Sequence, residues 1–247
     1  MDVDGIIGDF SMRFRVVAAR DPRLLEESYR IRYDVYAREL GWEPRAEAAA
    51  AEARETDPFD ARSSACLLHH LPSARFIGCV RLIRADAADP DAPFPYELAL
   101  TSHPGLEANF PPGFERRETG EISRMAVIAA FRRRTREHDQ PMTDLAPAAP
   151  DSLPESRRFA HITLGLYLGA ARMALDAGLS SVIATMEPRL ARRLRSYGIR
   201  FEQCSEPFEH RGLRAIYVLP RQGFFEHASP VVQRLIGEIG RQLQTPL

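Results

Sequence analysis

The spacing of apolar and polar positions predicts strands and helices that follow one another along the whole chain. Apolar runs without helical spacing predict strands, and stripes at helical spacing predict helices that begin at Asp21-Pro22 and Ser229-Pro230. The order favours an α/β (α+β) fold, with a central twisted mixed sheet and helices on both faces, in one domain over 1–247. The predicted strands are 14–19, 65–71, 75–84, 120–128, 181–186, 199–203 and 214–219, and the predicted helices are 21–40, 159–177, 188–197 and 229–243.

The stretch 120–128 is the most informative of these elements, because three polar side chains interrupt a buried strand. Strand alternation places Glu121 and Ser123 on one face and Arg124 on the other. An unpaired charge in a core strand is costly, so each charged group requires a partner. A structural ion pair would explain these residues as well as a reactive site would.

Partners for these charges occur earlier in the chain. Acidic residues cluster around a proline turn at 55–60, which includes Asp57 and Asp60. Arg32 stands beside the apolar stripe of the first predicted helix, and Arg81 interrupts an apolar strand face. We predict that the acidic cluster faces the 121–124 strand, because its carboxylates and the arginines require mutual compensation.

Composition excludes several classes of function. A net charge of -1 gives no general attraction to nucleic acid or to a membrane surface, and the absence of lysine excludes Schiff-base and P-loop chemistry. Three dispersed cysteines lack metal-ligand spacing, so we expect no metal and a reducing, cytoplasmic location. The apolar run 162–179 contains Arg172 and Asp176, which argues against a transmembrane segment. A polar, proline-rich stretch at about 137–156 is predicted to be a flexible insertion.

Five short motifs together resemble one branch of the GCN5-related N-acetyltransferase superfamily. The branch contains the acyl-homoserine-lactone (autoinducer) synthases and the long-chain N-acyl amino acid synthases. Within it, the chain looks most similar to the bacterial acyltransferases associated with the PEP-CTERM/exosortase system. The motifs are Arg32-Tyr33-Asp34-Val35-Tyr36, Leu40-Gly41-Trp42, Glu55-Thr56-Asp57-Pro58-Phe59-Asp60, Ile77-Gly78-Cys79-Val80-Arg81-Leu82 and Glu121-Ile122-Ser123-Arg124. The PEP-CTERM similarity adds Arg132-Arg133-Arg134, Gly165-Leu166-Tyr167 and Met186-Glu187-Pro188-Arg189-Leu190.

The resemblance implies an N-acyltransferase that moves a fatty acyl group from a thioester to the amine of an amino acid or related small molecule. Glu121 is then the expected base, with His161, His69 and His70 as alternatives, and backbone N–H groups of 125–128 would stabilise the oxyanion. The acyl chain would lie among Trp42, Phe131 and the apolar face of 166–173. The expected catalytic residues are Glu121, Ser123 and Arg124, and the expected substrate-binding residues are Arg32, Trp42, Asp57, Asp60, Arg81 and Phe131.

The donor is expected to be an acyl-carrier protein, with no cofactor bound permanently. The segment 127–134 has no glycine with which to cradle the pyrophosphate of CoA, whereas a carrier protein needs no such cradle. The arginines expected to dock the acidic carrier are Arg132, Arg133, Arg134 and Arg136. A solvated turn explains that run equally well. A CoA-dependent small-molecule N-acyltransferase and a non-catalytic carrier-binding or lipid-binding module remain the alternatives.

Overall fold

The computed structural model describes residues 3–43, 53–131 and 155–245. The helices are α1 (Val3–Arg13), α2 (Pro22–Tyr33), α3 (Pro95–Ser102), α4 (Glu155–Asp176), α5 (Pro188–Arg195), α6 (Arg221–His227) and α7 (Pro230–Gln244). The strands are β1 (Phe14–Ala18), β2 (Ser63–His70), β3 (Arg75–Arg84), β4 (Thr119–Val127), β5 (Ser181–Met186), β6 (Glu202–Gln203), β7 (Phe208–Glu209) and β8 (Leu213–Pro220).

The strands form one mixed sheet in the order β1-β2-β3-β4-β5-β8-β6, and β7 pairs with β8. β4 and β5 are parallel, whereas the other neighbouring strands are antiparallel. The parallel pairing is short, because only Thr119, Gly120 and Glu121 of β4 pair with Ser181, Val182 and Ile183 of β5. The predicted mixed sheet is therefore confirmed, and its central strands separate beyond Glu121.

Helices cover both faces of the sheet, as predicted. α4 packs against β1–β3, and α7 packs against β1 and α4. Val16, Leu68, Ile122 and Leu235 belong to the main apolar cluster on this side. On the opposite face, α2 packs against β2, β3 and β4, and α3 contributes Tyr96 to a separate apolar cluster. The sheet thus holds β4 between two layers of helices.

The first predicted helix begins as expected but changes its winding before it ends. The Leu24 N–H donates to Oδ1 of Asp21 (3.0 Å), which caps the helix, and residues Asp34–Glu39 continue it as a π-helix. The wider turn precedes Trp42, whose N–H donates to the carbonyl oxygen of Tyr36 (2.7 Å). π-helical turns often occur at functional sites, and this one presents Tyr36 and Trp42 to the cleft described below.

Several predicted boundaries are wrong. α1, α3 and α6 were not predicted, and β6 spans only Glu202–Gln203 of the expected 199–203. α4 begins at Glu155, four residues before the predicted start and at the end of the predicted insertion. The rest of that insertion, and the expected docking residues Arg132, Arg133, Arg134 and Arg136, lie outside the described residues.

Candidate active site

A cleft of about 150 Å³ opens where β4 and β5 separate. Its lining includes Glu121, Ser123 and Arg124 from β4 and Met186 from β5. The other walls come from Tyr36 and Trp42 after α2, Tyr167 of α4, Glu187 and Leu190 at the start of α5, and His210, Arg211 and Arg214 around the turn between β7 and β8. The cleft thus combines apolar walls with a carboxyl group and several cations.

Glu121 is a buried carboxyl group in this cleft, with a side chain only 2% exposed. The N–H of Tyr96, in the first turn of α3, donates to Glu121 Oε2 (3.1 Å). Burial raises the pKa of Glu121 to about 8, although the Tyr96 N–H and the charge of Arg81 oppose the change. A carboxyl group with such a pKa can take or give a proton near neutral pH.

The side chain of Arg124 lies on the same side of the sheet as Ser123, which corrects the prediction from strand alternation. Arg124 has a φ of 50°, and the pairing of β3 with β4 shifts at this point, from Arg81 opposite Ser123 to Cys79 opposite Ala126. Two residues of β4 therefore face one of β3, which is a β-bulge. The bulge turns the Arg124 guanidinium toward the ring of Tyr36 (5.6 Å) and the acidic cluster.

The predicted contact between the acidic cluster and the arginines is confirmed. Arg81 Nη1 lies 2.6 Å from Asp57 Oδ1 and 2.7 Å from Asp60 Oδ1, and Arg81 Nε donates to Ser123 Oγ (3.1 Å). Arg32 donates to both oxygens of Asp60 (2.6 and 3.1 Å) and also to Glu55. This arrangement, the buried ion network, contains Arg32, Arg81, Arg124, Glu55, Asp57 and Asp60.

Arg124 joins the network from the cleft side. Its Nη2 lies 3.0 Å from Glu55 Oε1 and 3.2 Å from Asp57 Oδ2. Burial lowers the pKa of Arg124, but the charges of Glu55, Tyr36 and Asp57 outweigh it, so the pKa is raised overall. Burial likewise raises the pKa of Asp60, but hydrogen bonds and charge from Arg32, with the charge of Arg81, hold it below its usual value. The network thus matches three arginines with three carboxylates.

The network lies mostly behind the cleft. Of the nine expected catalytic and substrate-binding residues, Glu121, Ser123, Arg124 and Trp42 line the cleft, whereas Arg32, Asp57, Asp60 and Arg81 do not. Phe131 contacts the ring of His70 (4.9 Å) and belongs to the main apolar core, away from the cleft lining. Of the helical segment 166–173, only Tyr167 lines the cleft.

The histidines proposed as alternative bases do not line the cleft. His161 lies between the rings of Phe10 and Phe14, at 6.1 and 5.8 Å, and His69 contacts Phe76 at 4.9 Å. His70 Nδ1 lies 2.8 Å from Ser73 Oγ. Of residues 125–128, whose N–H groups were expected to stabilise the oxyanion, Met125 lines the cleft. The Ile128 N–H already donates to the Ile77 carbonyl oxygen (2.9 Å).

His210, Arg211 and Arg214 are cleft residues that the sequence prediction missed. They lie around the turn between β7 and β8, where Arg211 and Gly212 have φ angles of 54° and 99°. Burial, followed by the charges of Arg211 and Arg214, lowers the pKa of His210. The turn sequence Glu209-His210-Arg211-Gly212 was the available signal, since a glycine at such a turn indicates a hairpin beside the sheet.

Residues 31–138 match the family model of the acetyltransferase (GNAT) domain. No curated protein matches the chain. Among solved structures, the CoA-dependent acyl-homoserine lactone synthase BjaI, determined with SAM and isopentyl-CoA, is 19% identical with a TM-score of 0.54, over 94% of this chain and 90% of BjaI. The CoA-dependent acyl-homoserine lactone synthase MesI is 18% identical with a TM-score of 0.55, over 93% of this chain and 95% of MesI. The AHL synthase LasI is 15% identical with a TM-score of 0.55, over 87% of this chain and 95% of LasI.

Residues 31–138 are therefore similar to a GNAT acetyltransferase domain, the fold is GNAT-like, and the class of protein is an acyltransferase. The identities to the solved structures are low, so those similarities establish the fold, which the synthases BjaI, MesI and LasI share. None of the helices in the described ranges is both long and apolar enough to cross a membrane.

Proposed function

We propose that this acyltransferase moves a fatty acyl group from a thioester to the amine of an amino acid or a related small molecule. The observation that supports it best is the cleft between β4 and β5, where the buried carboxyl group of Glu121 lies beside Ser123 and Arg124. The shared fold with acyl-homoserine lactone synthases agrees with acylation of an amine. The PEP-CTERM association suggested by the motifs stays a prediction.

In this proposal, Glu121 accepts the proton of the substrate ammonium group. The neutral amine then attacks the thioester carbonyl carbon, the C–N bond forms, the C–S bond breaks and the thiol leaves with a proton. A base with a pKa of about 8 is suited to take a proton from an amine near neutral pH. The N–H of Met125, in the cleft lining, is the candidate donor to the oxyanion.

The decisive experiment is a single-turnover assay of the purified chain with an acyl thioester and a mixture of amino acids. Mass spectrometry of the products should show an N-acyl amino acid, and the Glu121→Gln variant should form it about 100 to 10,000 times more slowly. Acyl thioester that binds but is never consumed would support the non-catalytic module instead. An unchanged rate in Glu121→Gln would remove Glu121 from the role of base and direct attention to His210.

For the donor, we propose an acyl-carrier protein in preference to CoA. Support comes from the missing glycines after Val127 and from the arginine run at 132–134. A second basic surface lies on α5, which begins beside the cleft and exposes Arg192 and Arg195. Both sets of arginines would attract an acidic carrier and make its association sensitive to salt.

The donor proposal is tested by charge reversal. Replacing Arg133 and Arg134 by Glu, or Arg192 and Arg195 by Glu, should lower kcat/KM for the carrier thioester about tenfold or more, with little change for a small synthetic thioester. Reversal of Arg241, exposed on α7, is the matched control. A native preference for acyl-CoA, or equal losses with both donors, would favour the CoA-dependent alternative.

A further inference from the structure

The turn between β7 and β8 is held in place at the edge of the cleft by several hydrogen bonds. The His210 N–H donates to the Gly212 carbonyl oxygen (3.0 Å), and the Gly212 N–H donates to Glu209 Oε1 (2.8 Å). Arg214 Nε donates to the His210 carbonyl oxygen (2.8 Å). The guanidinium of Arg211, at the tip of this turn, is therefore presented from an ordered backbone.

Two guanidinium groups from different elements meet at one carboxylate beside the cleft. Arg211 Nη2 lies 2.8 Å from Glu43 Oε1, and Arg124 Nη2 lies 3.6 Å from the same oxygen. Arg211 and Arg124 both line the cleft, so the position that the Glu43 carboxylate occupies adjoins the space open to a ligand. A planar guanidinium pair of this kind suits a carboxylate, which can accept from both arginines.

Trp42 adds a flat wall to the same position. Its ring stacks on Tyr36 with centroids 5.8 Å apart, and the guanidinium carbons of Arg211 and Arg214 lie 6.0 and 5.6 Å from its centroid. The indole face thus supports the cations without competing for their N–H donors. Trp42 is the only tryptophan of the chain, so its fluorescence reports on this position alone.

The other arginines near the site are already engaged by the protein. Arg32 and Arg81 are 2% exposed, and the carboxylates of Glu55, Asp57 and Asp60 occupy their guanidinium groups. Arg211 is about one-third exposed, and its ion pair with Glu43 is also partly open to solvent. An incoming carboxylate can therefore compete for Arg211 far more easily than for the buried network.

We propose that Arg211, with Arg124, binds the carboxylate of the amine substrate, and that this carboxylate displaces Glu43. The assignment rests on the proposed N-acyltransferase function and specifies its acceptor as an amine that carries a carboxylate, such as a free α-amino acid. In such an acceptor the amine and the carboxylate are attached to the same carbon. A carboxylate bound at Arg124 would therefore place the amine in the cleft that Glu121 lines.

Binding is measured through Trp42 fluorescence with two product analogues, N-decanoylglycine and its uncharged counterpart N-decanoylglycinamide. The wild-type protein should bind the carboxylate probe about tenfold or more tightly than the amide, as expected for charge-assisted hydrogen bonds. Arg211→Gln should reduce this preference to about twofold or less, and Arg211→Lys should keep part of it. Arg241→Gln, at an α7 site whose side chain is 74% exposed, should behave like the wild type.

Glu43→Gln distinguishes displacement from a merely structural ion pair. If Glu43 competes with the ligand, its neutralisation should tighten binding of N-decanoylglycine several-fold and leave N-decanoylglycinamide unchanged. Weaker carboxylate binding in Glu43→Gln would overturn the displacement, and equal losses for both probes in Arg211→Gln would overturn the subsite.

Turnover separates failure of this inference from failure of the proposed function. Glycine and methylamine serve as acceptors with and without the carboxylate, and Arg211→Gln should raise KM for glycine with little change in kcat. No acyl transfer to either amine, or to a mixture of amino acids, would refute the proposed function. Equal acylation of both amines by the wild-type protein would leave that function standing and refute the carboxylate subsite.

Discussion

The protonation of Glu121 should appear in the pH dependence of stability as well as in the rate. In the unfolded chain this carboxyl group ionises with a pKa near 4.5, whereas burial raises its pKa in the folded protein to about 8. Between these pH values the unfolded chain has released a proton that the folded protein retains. The free energy of unfolding must therefore fall as the pH rises through this window.

The magnitude follows from the size of the pKa difference. Each pH unit between 4.5 and about 8 lowers the free energy of unfolding by about 1.4 kcal/mol, which amounts to about 5 kcal/mol over the whole window. Glu121→Gln keeps a neutral group of similar shape and cannot ionise. Between pH 5 and pH 9, which covers about three of these pH units, the variant should therefore lose about 4 kcal/mol less stability than the wild type.

Urea unfolding at a series of pH values measures this difference directly. Glu118→Gln is the control, since it changes an exposed carboxyl group just before the same strand. In parallel, kcat/KM of the wild type should rise with pH and level off above pH 8, whereas Glu121→Gln should lack this rise. Parallel stability curves for the wild type and Glu121→Gln would show that Glu121 ionises normally, and the proposed base would lose its physical basis.

Two further predictions concern the buried ion network and the cleft wall. Arg32→Met should lower the free energy of unfolding by about 3–5 kcal/mol. It removes one of the two arginine partners of Glu55 and of Asp60 and leaves the buried network with one unbalanced negative charge. Arg30→Met, at a side chain 53% exposed on the same helix, should change the free energy of unfolding by less than about 1 kcal/mol in urea unfolding. A loss no larger than that of the control would show that the network does not stabilise the fold. Trp42→Phe should raise the KM of the amine about fivefold with a smaller effect on kcat, because a smaller ring weakens the stack with Tyr36 and the contacts of two arginines. Steady-state kinetics check this, and an unchanged KM would place the acceptor elsewhere.

Much of the fold could be predicted from the sequence, because local patterns agree with the final structure. β5 was predicted at its observed bounds, and the cap at Asp21 and the termination of α4 before Gly178 follow ordinary helix signals. α3 was missed because proline-rich sequence surrounds it, although Pro95 at its first position and Glu97 two residues later are helix-start signals. That helix matters, since its first turn supplies the N–H that contacts Glu121.

The identity of many site residues could be predicted from the sequence, whereas the arrangement of their side chains could not. The need for charge compensation was enough to predict that Asp57 and Asp60 contact Arg32 and Arg81. The orientation of Arg124 was not predictable, because a left-handed residue in a β-bulge reverses the side that alternation assigns. The turn sequence around Arg211 indicates a hairpin, but Arg211 reaches the cleft through the long-range pairing of β8 with β5, which the turn sequence does not reveal.

The balance of the buried ion network explains why Glu121 can serve as a base. Arg81 and Arg124 would, if left unpaired, favour the ionised form of Glu121 and hold its pKa low. Glu55, Asp57 and Asp60 neutralise Arg32, Arg81 and Arg124, so little net positive charge acts on Glu121 and burial dominates its pKa. The same ion pairs occupy the guanidinium groups of Arg32 and Arg81, which are therefore not available to a substrate. Recognition of an anionic substrate beside Arg124 then requires a further cation from outside the network, and Arg211 occupies such a position at the cleft.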